Sequence, residues 1–402
     1  MSEQQVEKIG YWTIVWEQFR KNKLSMFGLY MVLAMVILAI YAPFISLNKP
    51  IYISSANGLE FPFFRALFDR NFFENGVDIF FNLQIFLFPL LIFYTLFMLY
   101  KRNTPFFEFF PRDLMIYFCL SLVALGLCYK FEHKEPFRDY KKEILELEMQ
   151  GKLNGFLWPL RDLSYRQTST TGRHPAAPDS SNHLFGTDKE GRDIFARMVY
   201  GTRISLTIGL VAVSIYIAIG IVLGSLAGFF GGWVDLAISR FIEIMLCFPT
   251  FFLILTLSAL IQDKTIFHVM IIIGLTRWPE VARLVRAEFL KLKSMDYVQA
   301  AVALGFSKSR VIFLHVLPNA MGPVIVTAVF GVASSILIES SLSFLGLGDV
   351  TAPSWGEILS QGRQEYKLWL ILFPGFAIFM VVSIFNLVGE GLQDAMDPKQ
   401  RR

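Results

Sequence analysis

The sequence predicts an all-α, polytopic membrane protein with about eight spans. Of its 402 residues, 54% are hydrophobic and 15% aromatic, and only 17% are charged. A soluble chain carries about a quarter charged residues. Mean hydropathy is +0.50, and apolar runs long enough to cross a bilayer recur along the chain. The net charge of +4 is small, and no basic stripe with interleaved aromatics accompanies it, so a nucleic-acid partner is not expected. Cys119, Cys128 and Cys247 all lie in apolar stretches, with no metal-ligand or disulfide spacing.

The first span occupies residues 24–46, preceded by Arg20, Lys21 and Lys23. No small-x-small cleavage site follows it, so it reads as a retained anchor with residues 1–23 in the cytoplasm. An outer segment, 47–182, is interrupted by a possible membrane hairpin at 82–129, built from Asn82–Tyr100 and Leu114–Tyr129. Five stronger spans follow: Ile204–Phe229, Leu236–Ile261, Ile266–Gly274 (brief, extended through Trp278), Val316–Phe344 and Leu368–Val388. An even number of crossings places both termini in the cytoplasm.

Positive charge in short loops agrees with that topology. Lys101, Arg102 and Arg112 flank the hairpin turn, and Lys399, Arg401 and Arg402 end the chain. Arg277, Arg283, Arg286, Lys291, Lys293, Lys308 and Arg310 crowd the stretch before Val316. The basic segment Lys130–Arg203 is placed outside, and it exceeds the roughly 60 residues over which the rule operates. Within it Glu132–Lys152 is expected to be helical, and Thr168–Ser181, rich in Ser, Thr, Pro and Gly, to be an irregular loop.

The most informative local feature is a polar stretch inside this apolar chain, RWPEVARLVRAEFLKLKSMDYVQAAVALGFSKSRVIFLHVLPNAMGP. It predicts a cytoplasmic loop over 277–318. Tyr297–Leu304 has helical propensity, Gly305 suits a left-handed helix stop, and a second amphipathic stretch leads to Leu317–Pro318. A short helix, a glycine turn and a second helix make a knob that can seat in a groove on another protein. The plainer alternative is a basic loop with a helix stop.

At this point the sequence resembles the inner-membrane permeases of ATP-binding-cassette importers. Their hallmark is a cytoplasmic Glu-Ala-Ala, three residues, Gly, and an apolar run ending in Leu-Pro. Here the matching residues are Gln299, Ala300, Ala301, Gly305, Leu317 and Pro318, with Tyr297 in the same helix. Gln299 replaces the glutamate, so a salt bridge assigned to that position does not carry over. HLFGTDKEGRDIFARMVYGTRISL, GGWVDLAISRFIEIMLCFPT, ESSLSFLGLGDVTAPSWGEIL and GEGLQDAMDP follow in the family's order. They resemble the C-type permease of dipeptide, oligopeptide and nickel importers.

The resemblance implies a five-helix permease core within 183–398, beside the anchor helix and the extra hairpin, in the bacterial inner membrane. It implies an ATPase-coupling role for the knob. The implied partners are a homologous B-type permease, two ABC ATPase subunits and an extracytoplasmic substrate-binding protein, with membrane lipid around the helices. No cofactor is implied in this chain; ATP and Mg belong to the ATPases. NKPIYISSANGLEFPFF and NGFLWPLR resemble the Yej-type subgroup, associated with peptides and peptide-like antibiotics such as microcin C. Nickel chelates or another small solute are the alternative cargo.

No Gly-x-x-x-x-Gly-Lys-Ser/Thr phosphate loop is present; GFSKS at Gly305–Ser309 lacks the second glycine. The chain is therefore not expected to be an enzyme. His183, Asp188, Arg192 and Asp193 read as a turn and helix cap, since no second histidine lies at ligand spacing. Arg240 and Glu243 read as an intrahelical ion pair, and His315 as a packing residue. Glu339, in a run with Ser334, Ser335, Ser340 and Ser341, either lines a hydrated path together with Ser335 or is satisfied by serines. Gly220, Gly224 and Gly228 repeat every four residues, a spacing for close helix packing. Two other classes compete: a membrane-embedded enzyme, which needs converging catalytic groups, and a stand-alone channel or secondary transporter, which works without ATP.

Overall fold

A computed structural model describes residues 11–56, 58–102, 106–130, 134, 138–169, 174–179, 183–262 and 264–397. Lys399, Arg401 and Arg402 lie outside the described residues, as do parts of the expected helix Glu132–Lys152 and loop Thr168–Ser181. Two compact units emerge: residues 1–32, 205–360 and 374–402, and residues 33–204 and 361–373.

The chain begins with α1 (Tyr11–Lys21) and α2 (Lys23–Ile40). Asn22 separates them, its side-chain oxygen accepting from the amides of Leu24 (3.1 Å) and Ser25 (3.3 Å), which caps α2. Then come α3 (Ala42–Ile45), β1 (Tyr52–Ser55), β2 (Gly58–Glu60), α4 (Pro62–Ala66), the hairpin of α5 (Gly76–Arg102) and α6 (Phe106–Lys130), α7 (Tyr140–Met149) and β3 (Leu153–Leu157). The remaining helices are α8 (Ile194–Phe230), α9 (Gly232–Leu246), α10 (Thr250–Leu260), α11 (Ile266–Lys293), α12 (Asp296–Ala303) and α13 (Lys308–Arg310). A π-helical turn, Val311–Val316, leads into α14 (Leu317–Phe344), followed by α15 (Trp355–Glu365) and α16 (Trp369–Met396).

Among the described residues, five helices are long and apolar enough to cross a membrane: α2, the Gly76–Met98 part of α5, α8, the run Lys308–Phe344, and α16. Helices α9 and α10 pass that test only together and are bent by 78°, so the expected span Leu236–Ile261 is a bent pair. Pro249, which lacks an amide donor, stands at the start of α10. The short apolar stretch Asp113–Cys128 of α6 and the apolar first part of α11 bring the total near the expected eight.

The predicted loop over 277–318 is largely helical. Helix α11 continues unbroken through Pro279 and the arginines to Lys293, α12 follows at Asp296–Ala303, and a further helical run starts at Lys308. Packing explains the difference. Val281, Ala282, Val285 and Phe289 form a buried face on α11, so its charges occupy the remaining faces and the helix is amphipathic rather than terminated.

The partner of that face is the four-residue glycine repeat of α8. A Cβ at Gly220 would lie 2.6 Å from Val281 Cβ, at Gly224 2.5 Å from the Ala282 carbonyl, and at Gly228 2.5 Å from Phe289 Cβ. The repeat is thus an internal contact that lets two backbones approach. Asp235 of α9 binds Arg286 of α11 (2.8 Å through Nη2) and Arg240 pairs with Glu243 (2.6 Å), the intrahelical pair expected. Replacing Gly224 with leucine is expected to separate α8 from α11, costing about 1–3 kcal/mol as core overpacking does. A thermal melt of the purified protein in detergent checks this.

In the other unit, the all-α expectation is supplemented by a three-stranded antiparallel sheet of order β2-β1-β3. Tyr52 faces Leu157, Ile53 faces Phe156 and Glu60, and Ser54 faces Leu59. Ile53 is buried with Tyr140 and Ile144 of α7. The two segments that resemble the Yej-type subgroup are therefore neighbours in one sheet.

Candidate functional site

The knob is α12 and its stop. The amide of Phe306 donates to the Ala301 carbonyl (3.2 Å) and that of Gly305 to the Val302 carbonyl (3.0 Å), the paired bonds of a Schellman motif. Gly305 has φ +78° and nothing within 4 Å of where a Cβ would stand, so backbone conformation, not crowding within this chain, demands glycine. Ser307 then opens the next helix, accepting from the Arg310 amide at 3.4 Å. Phe306 stacks on His315 (5.7 Å between centroids), with Arg310 4.2 Å over the Phe306 ring.

The two alanines divide. Ala301 is 4% exposed and, with Val298, faces this chain's own interior, whereas Gln299, Ala300 and Gly305 are exposed. Leu304 is 75% exposed, and Tyr297 and Val302 are also exposed. Burial raises the Tyr297 phenol pKa above its ordinary value, opposed by a hydrogen bond with Asn319. The Gln299 side chain reaches the Ser294 carbonyl, at 3.5 Å. Leu317 and Pro318 sit where the π turn hands over to α14, the Leu317 amide donating five residues back to Ile312. Proline has no amide and its ring crowds the carbonyl four residues back, and the wider turn accommodates it.

Glu339 and Ser335 lie on α14, both buried, Glu339 being 3% exposed. The Glu339 carboxylate accepts from Ser343 (2.8 Å), Ser354 (2.7 Å) and Ser340 (3.4 Å). Serines thus satisfy the carboxylate, and both side chains are buried within the chain.

A charged centre that sequence reasoning passed over is Arg203 of α8, fully buried. Its guanidinium donates to the Ala39 carbonyl (2.7 Å), the Ile40 carbonyl (3.3 Å), Asp78 Oδ1 (3.0 Å) and Asn82 Oδ1 (2.9 Å). Asn82 donates on to Leu67, and Tyr165 donates to Asp78 Oδ2 at 3.0 Å. Burial first, then the Asp78 charge, pushes the Tyr165 phenol well above its ordinary pKa. Arg203 thus satisfies carbonyls left open at the end of α2 and ties α2, α5 and α8 together. The sequence signal was an arginine bordering a long apolar run.

His183, Asp188, Arg192 and Asp193 form a structural start for α8. Asp193 accepts from the Ala196 amide (2.8 Å) and contacts His183 Nδ1 (2.8 Å), while Asp188 binds Arg192 (2.6 Å) and Arg197 (2.9 Å). The cap is Asp193, with Asp188 bracing the turn before it.

Residues 220–402 match the family described as binding-protein-dependent transport system inner membrane component. Residues 10–60 match the N-terminal TM domain of oligopeptide transport permease C. The dipeptide transport system permease protein DppC of Alkalihalophilus pseudofirmus is 42% identical over 277 residues, covering 67% of this chain and 90% of the relative. The oligopeptide transport system permease protein OppC of Haemophilus influenzae is 39% identical over 241 residues, 59% of this chain and 77% of the relative. The inner membrane ABC transporter permease protein YejE of Escherichia coli is 37% identical over 266 residues, 65% and 77% respectively. Spanning helices and these matches together define a multi-pass membrane permease of the ABC transporter class. The chain belongs to the family of binding-protein-dependent transport system inner membrane components, with the C-type permeases among its relatives.

Proposed function

We propose that this chain forms half of the translocation path of an ATP-driven importer for peptides or peptide-like solutes. The α12 knob receives the stroke of separate ATPase subunits. The observation that carries the reading is the knob itself: a helix locked by its Schellman stop, fixed inward through Val298 and Ala301, with Tyr297, Ala300, Val302 and Leu304 left outward. Short apolar helices of this kind dock into grooves. The outward α12 residues adjoin a continuous helical run into α14, so a push on α12 reaches the spanning segment.

The partners in this reading are a homologous permease, two ATPases that bind ATP and Mg, and an extracytoplasmic binding protein, with both termini in the cytoplasm. Relatives named for dipeptide and oligopeptide transport support the cargo class, and the similarity to YejE supports the Yej-type subgroup. Affinity purification through this chain is expected to recover an ATPase pair and a second permease. The recovered assembly in proteoliposomes is expected to import a short peptide only with ATP and the binding protein. Import by the chain alone would instead establish a stand-alone channel or secondary transporter.

A further inference from the structure

The central stretches of α8 and α14 carry no charge of their own. None lies between Arg203 and Phe230 on α8, nor between His315 and Glu339 on α14. One charged pair is nonetheless set against both. Arg277 of α11 places its guanidinium 5.4 Å over the Tyr216 ring, donates to the Ser334 hydroxyl, and holds Glu280 at 3.4 Å. The Tyr216 hydroxyl packs against α14, where any side chain at Gly331 would collide with it. Tyr216 stands 13 residues after Arg203 and 14 before Phe230, about 20 Å of helix in either direction.

The pair opens to one side: the Arg277 side chain is 16% exposed and that of Glu280 51%. A charge facing hydrocarbon at the centre of a span costs about 2.5–3.5 kcal/mol on insertion scales, so this side of α11 faces water or a polar partner. The Arg277–Glu280 contact, at 3.4 Å, is long beside the ~2.7–2.9 Å of a charge-assisted bond. Glu280 is therefore a partner that a better-placed carboxylate can displace.

We infer that Arg277, backed by Tyr216 and Ser334, is a station on the solute path where the guanidinium takes the carboxylate of a passing solute. Glu280 is released by that exchange and becomes an acceptor for the solute's ammonium group. This assignment rests on the peptide reading above and narrows it to solutes with a free carboxylate. A planar guanidinium suits the task because it offers a carboxylate two parallel donors.

The test uses the complete transporter in proteoliposomes with a tripeptide and its C-terminal amide. Arg277→Gln uptake is expressed relative to wild type for each, so that preferences of the binding protein cancel. Uptake of the free acid is expected to fall about tenfold, the loss of one charge-assisted bond, while the amide stays within about twofold. Arg277→Lys is expected to restore part of the free-acid uptake. Equal loss for both peptides would reduce Arg277 to a structural ion pair and overturn the assignment, and so would unchanged uptake of both. Failure of the wild-type assembly to import either peptide would instead overturn the cargo reading and the station with it.

A second readout does not depend on transport rate. In a chain lacking the native cysteines, the Glu280→Cys variant is expected to react with a membrane-impermeant thiol reagent and to be protected by the free-acid peptide. An unreactive thiol at that position would place this face in lipid or packed protein and overturn the inference.

Discussion

Changing Leu304 to aspartate and Gly305 to valine in one variant is expected to abolish ATP-driven uptake while leaving membrane insertion and helix content unchanged. Leu304 is 75% exposed, so a charge there removes no contact inside the chain. It removes an apolar anchor from a docking surface, and such anchors cost about 2 kcal/mol or more when lost, roughly a 30-fold weaker association. Gly305 holds φ +78°, a conformation that costs a β-branched residue about 1–2 kcal/mol, so valine also shifts the end of α12. Ala301 is the wrong place for this test: at 4% exposure a bulky residue there disturbs the chain's own packing, and lost transport would carry two explanations. Uptake, ATPase activity and co-purification read together separate lost docking from lost folding.

The second large effect is expected at Arg203. Changing it to methionine leaves Asp78 buried without its cation and opens the carbonyls of Ala39 and Ile40. Removing one partner of a buried pair costs about 3–5 kcal/mol, enough to deplete a membrane protein of ordinary stability. The variant should accumulate poorly and melt at lower temperature. Adding Asp78→Asn removes the stranded charge and should recover part of the loss, the non-additivity that identifies a coupled pair. Strictly additive losses would show that Arg203 acts through packing alone.

Much of this architecture was legible in the residues. Hydropathy marked the spanning segments, the glycine spacing at Gly220, Gly224 and Gly228 marked a close helix contact, and Gly305 marked a left-handed stop. What was not legible depends on three-dimensional partners. The charges of 277–293 read as a loop although Val281, Ala282, Val285 and Phe289 recur at helical spacing; that this stripe is buried depends on its contact with α8. The small sheet escaped because its strands are three to five residues long and β1 and β3 are distant in sequence, although the Asn57–Gly58 dipeptide was an available turn signal. Arg203 escaped because its partners come from two other segments, the end of α2 and the start of α5. Ala300 and Ala301, identical in sequence, have opposite exposures, which helix phase decides only once the neighbours of α12 are fixed.

The central claim is that the α12 knob seats in a nucleotide-hydrolysing subunit. Its most direct measurement places a single cysteine at Leu304, in a chain lacking Cys119, Cys128 and Cys247, within the assembled transporter. A short bifunctional reagent is applied in nucleotide-free, ATP-bound and post-hydrolysis states. A covalent product with an ATPase subunit is the predicted result, its yield changing with nucleotide. A cysteine that reacts freely with soluble thiol reagents in every state, and never joins an ATPase, would contradict it.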